Sequence, residues 1–353
     1  MSEAQHPNVE PWQLGFQEPV TPVMEQLDSL HDGLTITITI ITIFVMILLF
    51  YVMVKFRESK NPTPSKVTHN TPLEIAWTVI PILILVAIAI PSLRTHYYMD
   101  KAVEPDMVLK AVGYQWYWNY EYPDVEGLSF DSYMIKDEDL KEGDVRLLSV
   151  DNPIVVPVDT TVALHLTGGD VIHAWAMPAF GVKMDAMPGR LNETWFKATK
   201  QGVYFGQCSE LCGVGHGFMP IEVHVVSKPA YAAWAKAAKA AIDGGGAFNS
   251  RVVLDEVKKN LPAIEAEAKA KAALDAAAQK VKAIAGDVSA ETKEKLQEVK
   301  EVVGEAKEAA KEIAEEVKVD ASEMKEKASE FKANAKANAK IGAEEIINQK
   351  AGE

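Results

Sequence analysis

The sequence predicts a two-helix transmembrane hairpin, then an all-β sandwich or barrel, then an α-helical or partly disordered C-terminal extension. Three observations predict it. Two nearly charge-free apolar runs, at about 34–54 and 75–93, each approach the roughly 20 residues that a helix needs to span a bilayer. From about 95 to 227, short β-rich stretches alternate with Gly, Pro and Asp turns. Beyond Lys228 the chain turns to Ala, Lys and Glu. The 353 residues thus divide into an outer-side N-terminal segment (1–33), the hairpin (34–94), a β-domain (95–227) and an extension (228–353).

The first 30 residues are polar, with several acids and prolines. They hold no basic-then-apolar leader, so a leader was removed or never existed. Threonines in the first apolar run are compatible with spanning, because their hydroxyls bond back to carbonyls of their own helix. A buried hairpin in a soluble core is the alternative, and the length and low charge of both runs argue against it. Between the runs, Lys55, Arg57, Lys60 and Lys66 outnumber Glu58. The positive-inside rule makes this loop cytoplasmic and puts both termini outside. Tyr51, Trp77, Tyr97 and Tyr98 sit near the expected membrane interfaces, where amphipathic aromatics are favoured.

In the β-domain, strands are expected at 107–112, 145–150, 161–167, 171–177, 202–207 and 220–226. The aromatic run 115–118 reads as a further strand with aromatic packing. In the extension, Gly244-Gly245-Gly246 makes a flexible joint, and 291–317 reads as solvated helix with close-spaced Glu and Lys. Its apolar residues are mostly Ala and Val, too small for a substantial core, so the extension reads as solubilising or wall-facing.

Charge is unevenly spread. Residues 1–227 hold 14 basic and 27 acidic side chains, a net of −13, whereas 228–353 hold 22 and 23. An acidic surface repels nucleic acid and attracts basic partners, with an on-rate that depends on ionic strength.

The chemistry concentrates in 208–219, where Cys208, Cys212, His216 and Met219 share one loop and both cysteines of the chain are found. Soft sulfur with imidazole suits copper, whereas carboxylates suit magnesium or calcium. One thiolate serves a single copper; a second, four residues on, is enough to bridge two. A second imidazole is offered by His173 in the stretch 170–175. If these side chains converge, Met219 and the backbone carbonyl of Glu210 supply weak axial contacts. Such a site has no open position and relays electrons without binding a substrate. The same Cys-x3-Cys spacing also fits a disulfide in an oxidising compartment, and that alternative stays open here. His69, His96 and His224 lack soft partners nearby in sequence and read as structural. Met177, Met184 and Met187 read as core filling.

The stretches 71–81, 113–122, 170–175 and 188–190, together with the copper loop, resemble subunit II of a haem–copper cytochrome c oxidase of the bacterial or mitochondrial type. The likeness runs over roughly 20–227. It implies a cupredoxin-like Greek-key barrel carrying a dinuclear copper (CuA) centre, with His173, Cys208, Glu210 through its carbonyl, Cys212, His216 and Met219 as ligands. The carboxylate of Glu210 then faces a Mg or Mn ion shared with subunit I, which suits a hard cation. By the same resemblance, Trp116 is expected to be the aromatic through which the electron enters from cytochrome c. Glu121, Asp131, Asp151 and Asp170 match or neighbour its docking acids, although each alone reads as a solvated surface residue. Glu74 marks the entrance of a proton pathway; bare spacing, three residues after Thr71, reads as a capping box.

The implied partners are subunits I and III, cytochrome c and the lipid bilayer, with no nucleic acid. The implied location is a bacterial inner membrane, with the copper domain and both termini periplasmic. The whole complex reduces oxygen to water and pumps protons, with the oxygen chemistry in subunit I. Two alternatives remain: a quinol-oxidase subunit, expected to have lost these ligands, and a copper-free anchored module with a Cys208–Cys212 disulfide.

Overall fold

The computed structural model describes residues 12–63, 65–101, 103–244 and 248–286. Helix α1 (Pro22–Lys55) begins twelve residues before the apolar run, so part of the segment expected outside the hairpin is helical. The cause is local. Thr21 Oγ1 accepts from Met24 N at 3.0 Å, Pro22 opens the helix with its φ already set, and Glu25 sits in the positive first turn. The same hydroxyl donates to Phe180 O at 2.7 Å, while Val20 N donates to Ala179 O and Val20 O accepts from Thr199 N. The helix start is thereby fastened to the β-domain. At 1.5 Å per residue, residues 22–33 hold that domain about 18 Å above the apolar run.

Helix α2 (Thr71–Met99) is capped by Asn70, not by the Thr71 that spacing suggested. Asn70 keeps an extended backbone (φ −150°), its Oδ1 accepts from Leu73 N, and Glu74 Oε1 accepts from Asn70 N at 3.1 Å. In α1, Thr37, Thr39 and Thr42 donate to carbonyls four residues back at 2.7–2.8 Å. Large apolar side chains stay exposed along both helices, among them Ile38, Phe44, Leu49, Leu83 and Leu85, and both helices are long and apolar enough to cross a membrane.

Ten strands form two five-stranded sheets. β1 (Met107–Tyr114), β2 (Tyr117–Glu121), β3 (Ser129–Ser132), β5 (Thr161–Gly168) and β8 (Asn192–Lys197) stand in the order β3-β2-β1-β5-β8. β4 (Ile154–Pro157), β6 (His173–Met177), β7 (Val182–Ala186), β9 (Gly202–Cys208) and β10 (Pro220–Val226) stand in the order β4-β10-β9-β6-β7. β1 runs parallel to β5 and β4 parallel to β10; the other pairs are antiparallel. Leu109, Trp118, Tyr120, Leu164, Trp175 and Phe196 are fully buried between the sheets, giving a cupredoxin-like fold. One expected strand fails. Residues 145–149 form a turn with Leu147 at φ 68°, and only Val150 bridges to Met134. The Ser149 hydroxyl takes the Val145 amide at 2.9 Å, which removes a group that a ladder needs.

The extension was expected to lack a core, and its first part has one. Helices α3 (Lys228–Asp243), α4 (Ser250–Lys259) and α5 (Leu261–Gly286) follow β10, and α3 and α4 cover the edge strand β4. Ala230, Trp234 and Ala238, at helical spacing, bury one stripe of α3. Trp234 is completely buried and meets Tyr122 at 5.3 Å; α4 adds Val253, Leu254 and Val257. A single Trp at such a place is worth about 3–5 kcal/mol. Gly245, Gly246 and the stretch 291–317 lie outside the described residues.

β10 alternates as a half-buried strand should, yet its outward Glu222 and His224 are buried as well, beneath α4. Glu222 pairs with Arg251 at 2.6 Å and His224 at 2.7 Å, and Lys258 Nζ lies 3.2 Å from His224 Nδ1. Burial pushes the Glu222 carboxyl up, but His224 and Arg251 outweigh it and hold it below the usual range. Burial, helped by Lys258, pulls the His224 imidazole down. Both groups therefore bind protons more readily in the unfolded chain, where their values are about 4.3 and 6.5. Stability is lost as pH falls through that range. Amide protection in α4, corrected for intrinsic exchange, is expected to drop from about pH 7 to 5; protection that stays level contradicts this.

Candidate metal centre

β6 and β9 run antiparallel with Trp175 opposite Cys208. His173, at the start of β6, and Cys208, at the end of β9, thus meet at one end of the sheet. Cys208 Sγ lies 3.9 Å from His173 Nδ1, 3.8 Å from Cys212 Sγ and 3.4 Å from Glu210 O. Cys212 Sγ lies 3.6 Å from His216 Nδ1 and 3.5 Å from Met219 Sδ. Around each sulfur stand one imidazole and one weak donor. His173, Cys208 and Cys212 are buried, with ligand atoms all within 4.8 Å of one another.

The donor set fits soft metal. Both thiols are free, and their separation is far beyond the roughly 2.05 Å of a disulfide. Two sulfurs reach a common ion at bonds of about 2.3 Å when they stand no more than about 4.6 Å apart, and these do. Electrostatics point the same way. Burial pushes the Cys208 thiol up, but hydrogen bonds from His173 and from neighbouring backbone outweigh it and lower it to about 6. Burial and the Cys208 charge push the Cys212 thiol up to about 12.

Asp170, and three residues that the sequence reading did not assign to the site, Gln115, Trp118 and Gly113, shape this pocket. Asp170 Oδ1 sits 2.9 Å from His173 Nε2, which turns Nδ1 toward the sulfurs. It also accepts from Val171 N, and its Oδ2 accepts from Gln115 N at 2.7 Å. Asp170, expected among the docking acids, is also the partner of the His173 imidazole. Gln115 Nε2 donates to Cys212 O at 2.9 Å, and Trp118 Nε1 to Met219 O at 3.3 Å. Gly113 is a cradle, since a Cβ there would lie 2.7 Å from the His173 ring. A Gly113→Ala chain is expected to lose copper affinity through the displaced imidazole, about 10- to 100-fold as for lost outer-shell support. Metal titration checks this; unchanged affinity contradicts it.

Trp116 is 37% exposed, and its Nε1 donates to Cys212 O at 3.1 Å. Gly213 and Gly215 make room for the indole; a Cβ on Gly215 would stand 2.4 Å from it. The remaining expected residues lie elsewhere. Glu121, at the far end of β2, pairs with Lys110 at 3.0 Å. Asp131 accepts from Asn119 Nδ2 at 2.8 Å, and Asp151 from Tyr133 N at 2.8 Å. Glu74 is at the opposite end of α2 from the β-domain, and the Glu210 side chain is exposed.

Two helices apolar enough to cross a membrane, carrying a two-sheet domain with a buried His-Cys-Cys cluster, define an anchored module with a candidate metal site. Residues 107–226 match the family described as cytochrome c oxidase subunit II, periplasmic domain, and residues 9–95 its transmembrane domain. A probable cytochrome c oxidase subunit 2 of Rickettsia bellii (strain RML369-C) is 53% identical over 224 residues, 64% of this chain and 83% of that protein. Cytochrome c oxidase subunit 2 of Phytophthora megasperma is 49% identical, over 64% of this chain and 87% of that one. The crystal structure of the periplasmic domain of subunit II of the Bradyrhizobium japonicum cytochrome oxidase is 55% identical, covering 39% of this chain and 97% of that one, with a TM-score of 0.37. This chain belongs to the cytochrome c oxidase subunit II family and is a membrane-anchored component of that oxidoreductase.

Proposed function

We propose that the chain accepts electrons from cytochrome c at a dinuclear copper centre and hands them to haem in subunit I. The centre would be held by His173, Cys208, Cys212, His216, Met219 and the carbonyl of Glu210. Copper bound there supplies reversible one-electron chemistry. The protein's part is to hold six donors so that none is left for a substrate, to orient His173 through Asp170, and to exclude water behind Trp118 and Met219. The observation that carries the reading is the hydrogen bond from Trp116 Nε1 to the carbonyl of Cys212. It ties a surface aromatic to a metal-ligating residue without an intervening side chain.

On this reading the acidic excess of the front two-thirds steers a basic haem protein to Trp116, with Glu121, Asp131, Asp151 and Asp170 as its docking acids. The exposed Glu210 carboxylate offers oxygen to a hard cation shared with subunit I. Glu74, in the first turn of α2 beside the basic loop, would then serve as the entrance for protons from the cytoplasm, a reading supported by the positive-inside rule. The β-domain then faces the periplasm of a bacterial cell. A disulfide module is disfavoured by the 3.8 Å sulfur separation, and a copper-free quinol-oxidase subunit by the complete donor set. Stopped-flow mixing of the oxidase with reduced cytochrome c tests the reading. The copper absorption is expected to change before the haem absorption; haem reduction that comes first contradicts it.

A further inference from the structure

Residues 150–153 are held on one side from the C-terminal extension. Val150 is fully buried, and its carbonyl accepts from Arg251 Nε at 3.0 Å and Nη2 at 2.6 Å. Its amide donates to Glu222 Oε2 at 2.8 Å, the same oxygen that Arg251 Nη2 reaches at 2.6 Å. Ser250 N donates to Asn152 Oδ1 at 2.9 Å, and Ser250 Oγ to Pro153 O at 2.6 Å. Two consecutive residues in the first turn of α4 thus grip three of the four residues in this segment.

The other side of the segment holds the surface beside Trp116. Asp151 Oδ1 accepts from Tyr133 N at 2.8 Å, and Asp151 N donates to Tyr133 O at 3.0 Å. Asn152 Nδ2 donates to Asp131 O at 2.9 Å. The Tyr133 ring stacks on Tyr117 at 4.6 Å, and Tyr117 follows Trp116 directly in the chain. The segment thus joins α4 by hydrogen bonds to Asp131 and Tyr133, and Tyr133 stacks on Tyr117, the residue after Trp116.

We propose that α4, through Ser250 and Arg251, is a positioning element for the electron-donor face. It fixes residues 150–153 and so sets where Asp131, Asp151 and Tyr133 meet a basic donor. The inference rests on Trp116 marking that face. The physical reason is preorganisation: carboxylates and rings already held in place lose little freedom on docking, whereas a loose segment must be ordered each time. The extension, which lies beyond residues 107–226 that match the periplasmic-domain family, would then act on donor affinity and not on the metal.

The test uses the assembled oxidase with two variants. Ser250→Ala removes the Oγ hydrogen bond to Pro153 O, and combining it with Asn152→Ala removes the one from the Ser250 amide as well. Arg251→Met combined with Glu222→Gln and Asp144→Asn removes the grip of Arg251 without leaving either of its buried carboxylate partners charged and unpaired. At low ionic strength, KM for a basic cytochrome c is expected to rise about threefold to tenfold. The value of kcat, the copper paramagnetic signal and oxidation of a small-molecule reductant are expected to stay as in the parent. An unchanged KM in both variants, while Trp116→Gln slows the same reaction, overturns the positioning role and leaves the donor-face reading standing. An unchanged rate in Trp116→Gln overturns that reading itself. Loss of the copper signal in both variants overturns the proposal too, because α4 would then support the whole domain.

Discussion

A Cys212→Ser chain is expected to hold no copper pair and to lose cytochrome c oxidation by several orders of magnitude, while the β-domain still folds. Cys212 Sγ is the hub of the cluster, within 3.8 Å of Cys208 Sγ, His216 Nδ1 and Met219 Sδ. A serine hydroxyl is a hard donor that stays protonated at neutral pH, and it does not bridge two soft ions as a thiolate does. The substitution is nearly isosteric, so packing around Trp118 and Met219 changes little. Cys208→Ser is expected to act in the same direction and to remove the thiol that ionises first, the one lowered to about 6. Metal analysis and the visible spectrum of the purified variant decide the matter: a retained copper pair would sink the bridging assignment.

Trp116→Gln is expected to slow electron transfer from cytochrome c by an order of magnitude or more and to leave the copper spectrum as it was. The indole joins solvent to the Cys212 carbonyl, and Gln115 holds the same carbonyl independently at 2.9 Å. Losing the indole therefore leaves the metal loop supported while the aromatic surface disappears. Gly215→Ala approaches the same result from the other partner, because its Cβ would displace the ring. Stopped-flow rates taken alongside a paramagnetic spectrum separate the two effects. A rate equal to the parent's with an intact spectrum means that electrons take another route.

Much of this molecule is legible in its sequence because the signals are local. Two apolar runs announce their helices by length, and the loop 208–219 announces its chemistry by placing four soft or imidazole donors within twelve residues. What lies beyond reach of the sequence depends on partners distant along the chain. The start of α1 at Pro22 is set by the hydroxyl of Thr21 and by Phe180 across the fold, not by hydropathy. Alternation in β10 shows that Glu222 and His224 point away from the sheet interior. It does not show that α4 covers them, and only Arg251 and Lys258, some thirty residues later, complete that layer. The stripe Ala230, Trp234, Ala238 was a visible signal for that helical layer; a Trp at such spacing in an Ala-rich helix marks a buried face. Asp170 looks like one more surface acid until His173 is seen beside it. Residues 145–150 carry strand-like composition, and a single Ser149 hydroxyl turns them into a loop.

Electron paramagnetic resonance, combined with metal analysis of the full chain purified in detergent and supplied with copper, tests the central claim most directly. The expected result is two coppers per chain and hyperfine structure from one unpaired electron shared equally by both nuclei. A single copper holding that electron alone, or a metal-free chain with its two sulfurs joined, would contradict it.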